Sequence, residues 1–171
     1  QSFNFDGMLI DPYNSLIKDK ELLRSVGGHE YDYQIASELR LFCKENDVSV
    51  WLNAHAVTEA LRRTHPANHE YAGHIVPPSM ADVEGGGKWG NRADNVYTVH
   101  RMTGHPTEWM ISEIHVKKVK ETETGGRCTP IDEPLRLRMN AGSCGFSFAG
   151  MDLLHQEENN NYLNYVCRGS F

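Results

Sequence analysis

The chain has 171 residues, 39% of them hydrophobic and 23% charged, which suits one domain with its own core and excludes wholesale disorder. A formal net charge of -6 excludes a protein that coats nucleic acid by bulk electrostatics, so any such contact has to come from a local basic patch. The four cysteines (Cys43, Cys128, Cys144, Cys167) are widely spaced with no C-x-x-C pair, and no apolar run reaches about 18 residues, which suits a reduced, cytoplasmic, non-membrane protein.

The first element is the run Met8-Leu9-Ile10, which ends in Asp11 and Pro12. It reads as a strand covered on both faces, as in a parallel sheet, and Pro12 stops it because proline has no N–H to continue a ladder. A polar connection from Ser15 to Glu30 follows, broken at Gly27-Gly28. Tyr31 to Asn46 is predicted as an amphipathic helix, with Ile35, Leu39 and Phe42 on one stripe flanked by Ala36 and Cys43. Val48 to His55 is a second β-rich run, so strand, helix and strand follow in the order of a right-handed parallel βαβ unit. Thr58 to Pro78, rich in His and Pro, is predicted as a surface excursion, and Ala81 to Asn91 carries a glycine-rich loop. Asn95–Arg101 and Glu108–Lys120 are predicted as a hairpin, with a turn at Gly125-Gly126. The alternation in Leu135–Met139 marks a half-exposed strand, which Gly145–Phe148 pairs. A motor-sized unit over 1–150 is followed by a polar tail over 151–171.

Several residues carry candidate chemistry. A carboxylate at the carboxyl end of a parallel strand sits where open α/β sheets bind ligands, and in a nucleotide-binding fold Asp11 can hold the water shell of a phosphate-bound Mg²⁺. The competing reading is an Asp-Pro turn starter. His55, at the end of the second strand, can hydrogen-bond a phosphate oxygen, or is a satisfied structural histidine. In the loop from Asp82 to Arg92, glycines permit close backbone approach, Lys88 and Arg92 supply charge, and Trp89 can stack a base. It is not a phosphate-cradling P-loop, because Trp89 follows Lys88 and Asp82 stands where the first glycine belongs. Three imidazoles, His65, His69 and His74, together with Glu70 have Zn²⁺-ligand chemistry, but Pro66 and the absent H-E-x-x-H order weigh against a site.

In order and spacing, these segments resemble the downstream half of the RecA-like motor domain of DnaB/Twinkle-type replicative helicases. The resemblance runs from about Phe5 to Phe148. It implies a partial RecA-like P-loop NTPase sheet, with parallel strands and a flanking helix followed by antiparallel strands. It further implies ATP and Mg²⁺ as cofactors, single-stranded DNA as partner, a homo-oligomeric ring (a hexamer), and a bacterial, phage or plasmid replication context. Asp11 matches the Walker B aspartate that positions Mg²⁺, and His55 matches the family's Gln/His phosphate sensor. Gly86, Gly87, Lys88, Trp89, Asn91 and Arg92 fall in the loop that faces DNA in the central channel. Lys118 and Lys120 match the basic pair sent to the neighbouring subunit's nucleotide. The family's second residue there is usually Arg, and Lys120 lacks its bidentate fork. Solvated lysines that discourage edge pairing are the alternative.

The Gly-rich phosphate loop and the general-base Glu of such a motor lie nowhere in this sequence. The expectation is therefore that an upstream half of the same motor domain completes the sheet, and that the 171-residue chain alone hydrolyses no ATP. The alternative is a non-catalytic RecA-like module used in assembly or loading.

Overall fold

The computed structural model describes residues 5–83, 85–142 and 144–154. They fall into two compact units, Gln1–Thr64 with Pro78–Asp94, and His65–Pro77 with Asn95–Phe171.

The first unit contains β1 (Gly7–Ile10), α1 (Lys20–Val26), α2 (Gly28–Asn46) and β2 (Ser49–Leu52). β1 and β2 pair in parallel, Met8 opposite Val50 and Ile10 opposite Leu52, as the apolar runs predict. α1 is a correction, because the stretch expected to be a polar connection contains a helix. Its cap explains it: Asp19 Oδ1 accepts the N–H groups of Glu21 at 2.9 Å and Leu22 at 2.8 Å, satisfying donors that a helix start leaves orphaned. Glu21 in the first turn complements the helix dipole. Gly27, at φ 79, breaks α1 from α2 where the glycine pair predicts. α2 starts at Gly28 rather than Tyr31 and ends at Asn46 as expected. Its last turn closes on Asp47, in the left-handed region at φ 52, whose N–H donates to the Cys43 carbonyl.

β2 is shorter than the run Val48–His55, because after Leu52 the backbone leaves the ladder and bonds the turn that follows β1. Met8, Ile10, Val50 and Leu52 are half-buried. On the opposite side Leu9 and Trp51, directly paired, remain 66% and 60% exposed. Parallel strands are ordinarily covered on both faces, so this side of the sheet is unfinished within the described residues.

The glycine-rich segment is the second correction. It contains a short helix, α3 (Gly87–Arg92), entered through Gly85 and Gly86 at φ 84 and 59. A 3-10 turn over Met80–Asp82 precedes it, with a capping box between Ser79 and Asp82.

The second unit is an antiparallel sheet in chain order: β3 (Asn95–His100), β4 (Ile111–Val119), β5 (Leu135–Met139), β6 (Phe146–Phe148) and β7 (Met151–Asp152). The predicted hairpin and the predicted pairing of β5 with β6 are both present. β7 reaches into the stretch expected as a tail, and 155–171 lies outside the described residues. One helical turn over Thr122–Gly125 ends at Gly126, φ 81, at the predicted glycine turn.

A β-bulge interrupts the hairpin. Val116 faces Tyr97 and Lys118 faces Val96, which leaves Lys117 as the extra residue. Paired residues share a face, so the bulge puts Lys118 on the side of Thr98, His100, Glu113 and His115. His100, Glu113 and His115 on that side are buried, whereas Val99 on the other is 68% exposed. The architecture is thus mixed α/β with a parallel pair and an antiparallel sheet, the fold class that the sequence predicts.

Candidate functional site

At the carboxyl ends of β1 and β2, two chain segments are stitched together. Asn53 N–H donates to the Ile10 carbonyl at 2.9 Å and Tyr13 N–H to the Asn53 carbonyl at 2.7 Å. Asn53 Nδ2 donates to Asp11 Oδ1 at 2.6 Å, and His55 N–H to Asn14 Oδ1 at 2.9 Å. Asp11 and His55 are both exposed, and the Asp11–Pro12 peptide is cis. The two residues singled out from the sequence therefore stand at adjacent strand ends, open to solvent. A single exposed carboxylate suits Mg²⁺, which keeps several waters and takes one or two carboxylates beside phosphate oxygens. Among the described residues no group of three or more His, Cys, Asp or Glu is arranged to hold a metal ion. That also speaks to His65, His69 and His74: the first two rings stack on each other, centroids 4.0 Å apart, rather than converging on a point.

Beyond His55 the chain runs straight into the glycine segment. Ala56 bridges Val83 in antiparallel fashion, and Val57 N–H donates to the Asp82 carbonyl at 2.6 Å. Arg63 pairs with the Asp82 carboxylate, which also accepts Ser79 N–H at 2.6 Å. Burial pushes the Asp82 carboxyl up, but the Ser79 hydrogen bonds and Arg63 outweigh it and hold the group below its ordinary value.

Within α3 the predicted residues divide. Gly87 and Asn91 are exposed, and Gly86 and Lys88 half-exposed. Trp89 packs edge-on against Tyr13, ring centroids 4.7 Å apart. Arg92 lies over the Tyr33 ring, its guanidinium carbon 4.2 Å from the centroid, and donates to the Tyr33 hydroxyl. Trp89 and Arg92 thus hold α3 in place, and Gly86, Gly87, Lys88 and Asn91 form its outward surface.

Sequence reasoning missed Asp32. It is 3% exposed, accepts the Tyr13 hydroxyl at 2.7 Å, and pairs with Lys18 Nζ at 3.1 Å. The signal was present: Asp32 lies four residues before Ala36 and seven before Leu39, so a carboxylate sits on the apolar stripe of α2.

In the second unit, Lys118 lies in β4 and Lys120 directly follows it, with Nζ 3.7 Å from Glu121 Oε1. Lys117, the bulged residue, has its ammonium pushed down by burial. Beneath them is a buried histidine–glutamate group. His115 Nε2 stands 3.4 Å from Glu113 Oε2, and Arg136 Nε 3.8 Å from Glu113 Oε1. Neither His115 ring nitrogen nor His100 Nε2 has a hydrogen-bond partner among the described residues. Burial lowers the pKa of His100, with Glu113 opposing and His115 reinforcing; burial and then His69 lower that of His65.

No family model matches the chain, and no curated protein matches it. Among solved structures it is similar to the ATPase domain of a DnaB-like helicase, with a TM-score of 0.56 and 16% sequence identity. The match covers 83% of this chain and 44% of that one, so this chain spans less than half the length of that structure. At such identity the likeness speaks for the fold alone, that of part of an ATPase domain. No helix among the described residues is long and apolar enough to cross a membrane.

Proposed function

We propose that this chain is the downstream portion of the RecA-like motor of a ring-forming, ATP-dependent DNA helicase, completed by an upstream half that supplies the phosphate loop. The observation that carries the reading is the pair of parallel strand ends presenting Asp11 and His55 side by side, with the chain passing from His55 directly into the glycine-entered helix α3. The fold likeness to part of an ATPase domain supports it, as does the exposed Leu9–Trp51 side of the two-stranded sheet, where further strands and a covering layer belong.

In this reading Asp11 orients water on a nucleotide-bound Mg²⁺, which when bound neutralises charge on the phosphates. Asn53 fixes the Asp11 carboxylate through its amide. His55 hydrogen-bonds the terminal phosphate and loses that contact after hydrolysis. The Ala56–Val83 bridge and the Arg63–Asp82 pair carry the change to the segment that enters α3. Gly86, Gly87, Lys88 and Asn91 contact the phosphates of single-stranded DNA, on a helix set by Trp89 and Arg92. Lys118 and Lys120 reach the nucleotide of the adjacent subunit in the ring, Lys120 as a point charge rather than a fork.

The test is ATP hydrolysis by the protein extended upstream by about 200 residues, roughly one domain length, with and without single-stranded DNA. The expected result is DNA-stimulated turnover that falls at least about tenfold, or about 1.4 kcal/mol, in Asp11→Asn, and none from the 171-residue chain alone. A folded extended protein without turnover would replace the motor with the non-catalytic assembly module.

A further inference from the structure

Asp32 belongs to neither the strand ends nor α3, yet it touches the residues that join them. Tyr13 stands two positions after Asp11, and its backbone is tied to the β2 end by the 2.7 Å bond to Asn53. Its ring, 4% exposed, packs on Trp89 of α3. Its hydroxyl donates to Asp32 Oδ1. On the other side of the carboxylate lies the entrance to α3. A Cβ built on Gly85 would stand 3.0 Å from Asp32 Oδ2 and 2.8 Å from Trp89 Nε1. Gly85 is therefore required twice, by its φ of 84 and by the closeness of Asp32 and Trp89.

A buried carboxylate is costly unless its partners compensate it. Here Lys18 supplies the charge, at 3.1 Å and with its side chain 26% exposed, and its ammonium also stands 6.0 Å from the Tyr13 ring centroid and 5.7 Å from that of Tyr31. The helix stripe on which Asp32 sits would accept an apolar residue. A carboxylate there adds a directed acceptor that fixes the orientation of the Tyr13 ring, and so the surface on which Trp89 rests.

We infer that Asp32 is a positioning residue that locks the turn carrying Asp11 to helix α3 through Tyr13, so that a displacement at either end is felt at the other. The inference rests on the proposed helicase reading for its purpose, since it makes Asp32 the hinge-pin between the nucleotide end and the DNA-facing helix. Its physical content is separable from that reading.

The experiment is a mutant cycle read by fluorine NMR on the chain labelled with 5-fluorotryptophan, with Trp51→Phe and Trp109→Phe assigning the Trp89 resonance. Asp11→Asn perturbs one end and the Trp89 resonance reports the other. The expected result is a shift of Trp89 on Asp11→Asn that is lost in Asp32→Asn and in Tyr13→Phe, which keeps the ring but removes the hydroxyl. Asp32→Glu restores at least part of it. If Asp32→Asn does not fold, Tyr13→Phe decides. A Trp89 shift that survives in the folded variants, or one that Asp11→Asn never produces, overturns the inference. Binding of labelled oligo-dT, measured in parallel, keeps the two readings apart. Coupling without DNA binding removes the helicase reading and leaves Asp32 its role. DNA binding without coupling does the reverse.

Discussion

Both units bury titratable groups, and they do so by opposite means. In the first, the Asp32 side chain is 4% exposed and is met by an ammonium and a phenol hydroxyl, each within 3.1 Å. In the second, His100, His115 and Glu113 are buried together on one side of the β3–β4 hairpin, and three of the four imidazole nitrogens lack a hydrogen-bond partner among the described residues. Arg136 and His115 face Glu113, while Glu113 and Asp132 are the acidic groups acting on His65. A charge with assigned partners is a fixed joint. A group of rings kept neutral by burial is stable only while protons are scarce.

That contrast can be broken most directly at Asp32. Asp32→Leu leaves the Tyr13 hydroxyl and the Lys18 ammonium without their acceptor, and should cost about 3 kcal/mol in urea unfolding. A loss below about 1 kcal/mol would show that the joint is ornamental. Gly85→Ala should come next, at about 2 kcal/mol, from a left-handed backbone and a Cβ with no room. Gly104→Ala, with nothing within 4 Å of its added Cβ, is the control, expected within about 0.5 kcal/mol.

Acid should separate the two units. His65 and His100 titrate below the ordinary value of 6.5 when folded. Between the folded value and 6.5 the unfolded chain binds protons that the folded chain refuses, so this contribution is complete above 6.5 and is lost as pH falls below it. In single-tryptophan variants, Trp109 in the second unit should report a urea midpoint that drops between about pH 7.5 and about pH 5.5. His100→Leu should flatten that slope. Asp82 in the first unit is displaced the other way: its contribution is present above 3.8 and lost as pH falls through its lower folded value. Trp89 should therefore report little change over the same interval. The smallest effect should be Arg63→Gln, whose partner is Asp82. With Arg63 49% exposed, it should cost about 0.5 kcal/mol, read as a midpoint shift at neutral pH.

Legibility in the sequence followed the range of the interactions involved. β1, β2 and the Leu135–Met139 strand were readable because apolar runs and alternation report local burial directly. The α2 terminus at Asn46 was readable for the same reason. α1 was hidden by its polarity, although Asp19 followed by Glu21 is a cap signal that composition alone overlooks. α3 could not be read, because its glycines argue against a helix and its support comes from Tyr13 and Tyr33, which lie far away in the chain. Asp11 and His55 were placed correctly at strand ends, whereas the ties between them (Asn53 to Asp11, Asn14 to His55) join residues more than forty positions apart and leave no local mark. Asp32 was legible only as an exception, a carboxylate on an apolar stripe.

The bulge at Lys117 has a genetic corollary. Lys118 faces the His115 side only because Lys117 has no partner in β3. No substitution at Lys117 can undo that, since an unpaired residue of any type keeps the count. Deletion of the single codon would restore strict alternation and turn Lys118 to the side of Tyr97 and Val99. The orientation of this basic residue is therefore protected against point mutation and vulnerable to an in-frame indel, and variation at this position is expected as substitution while length stays constant.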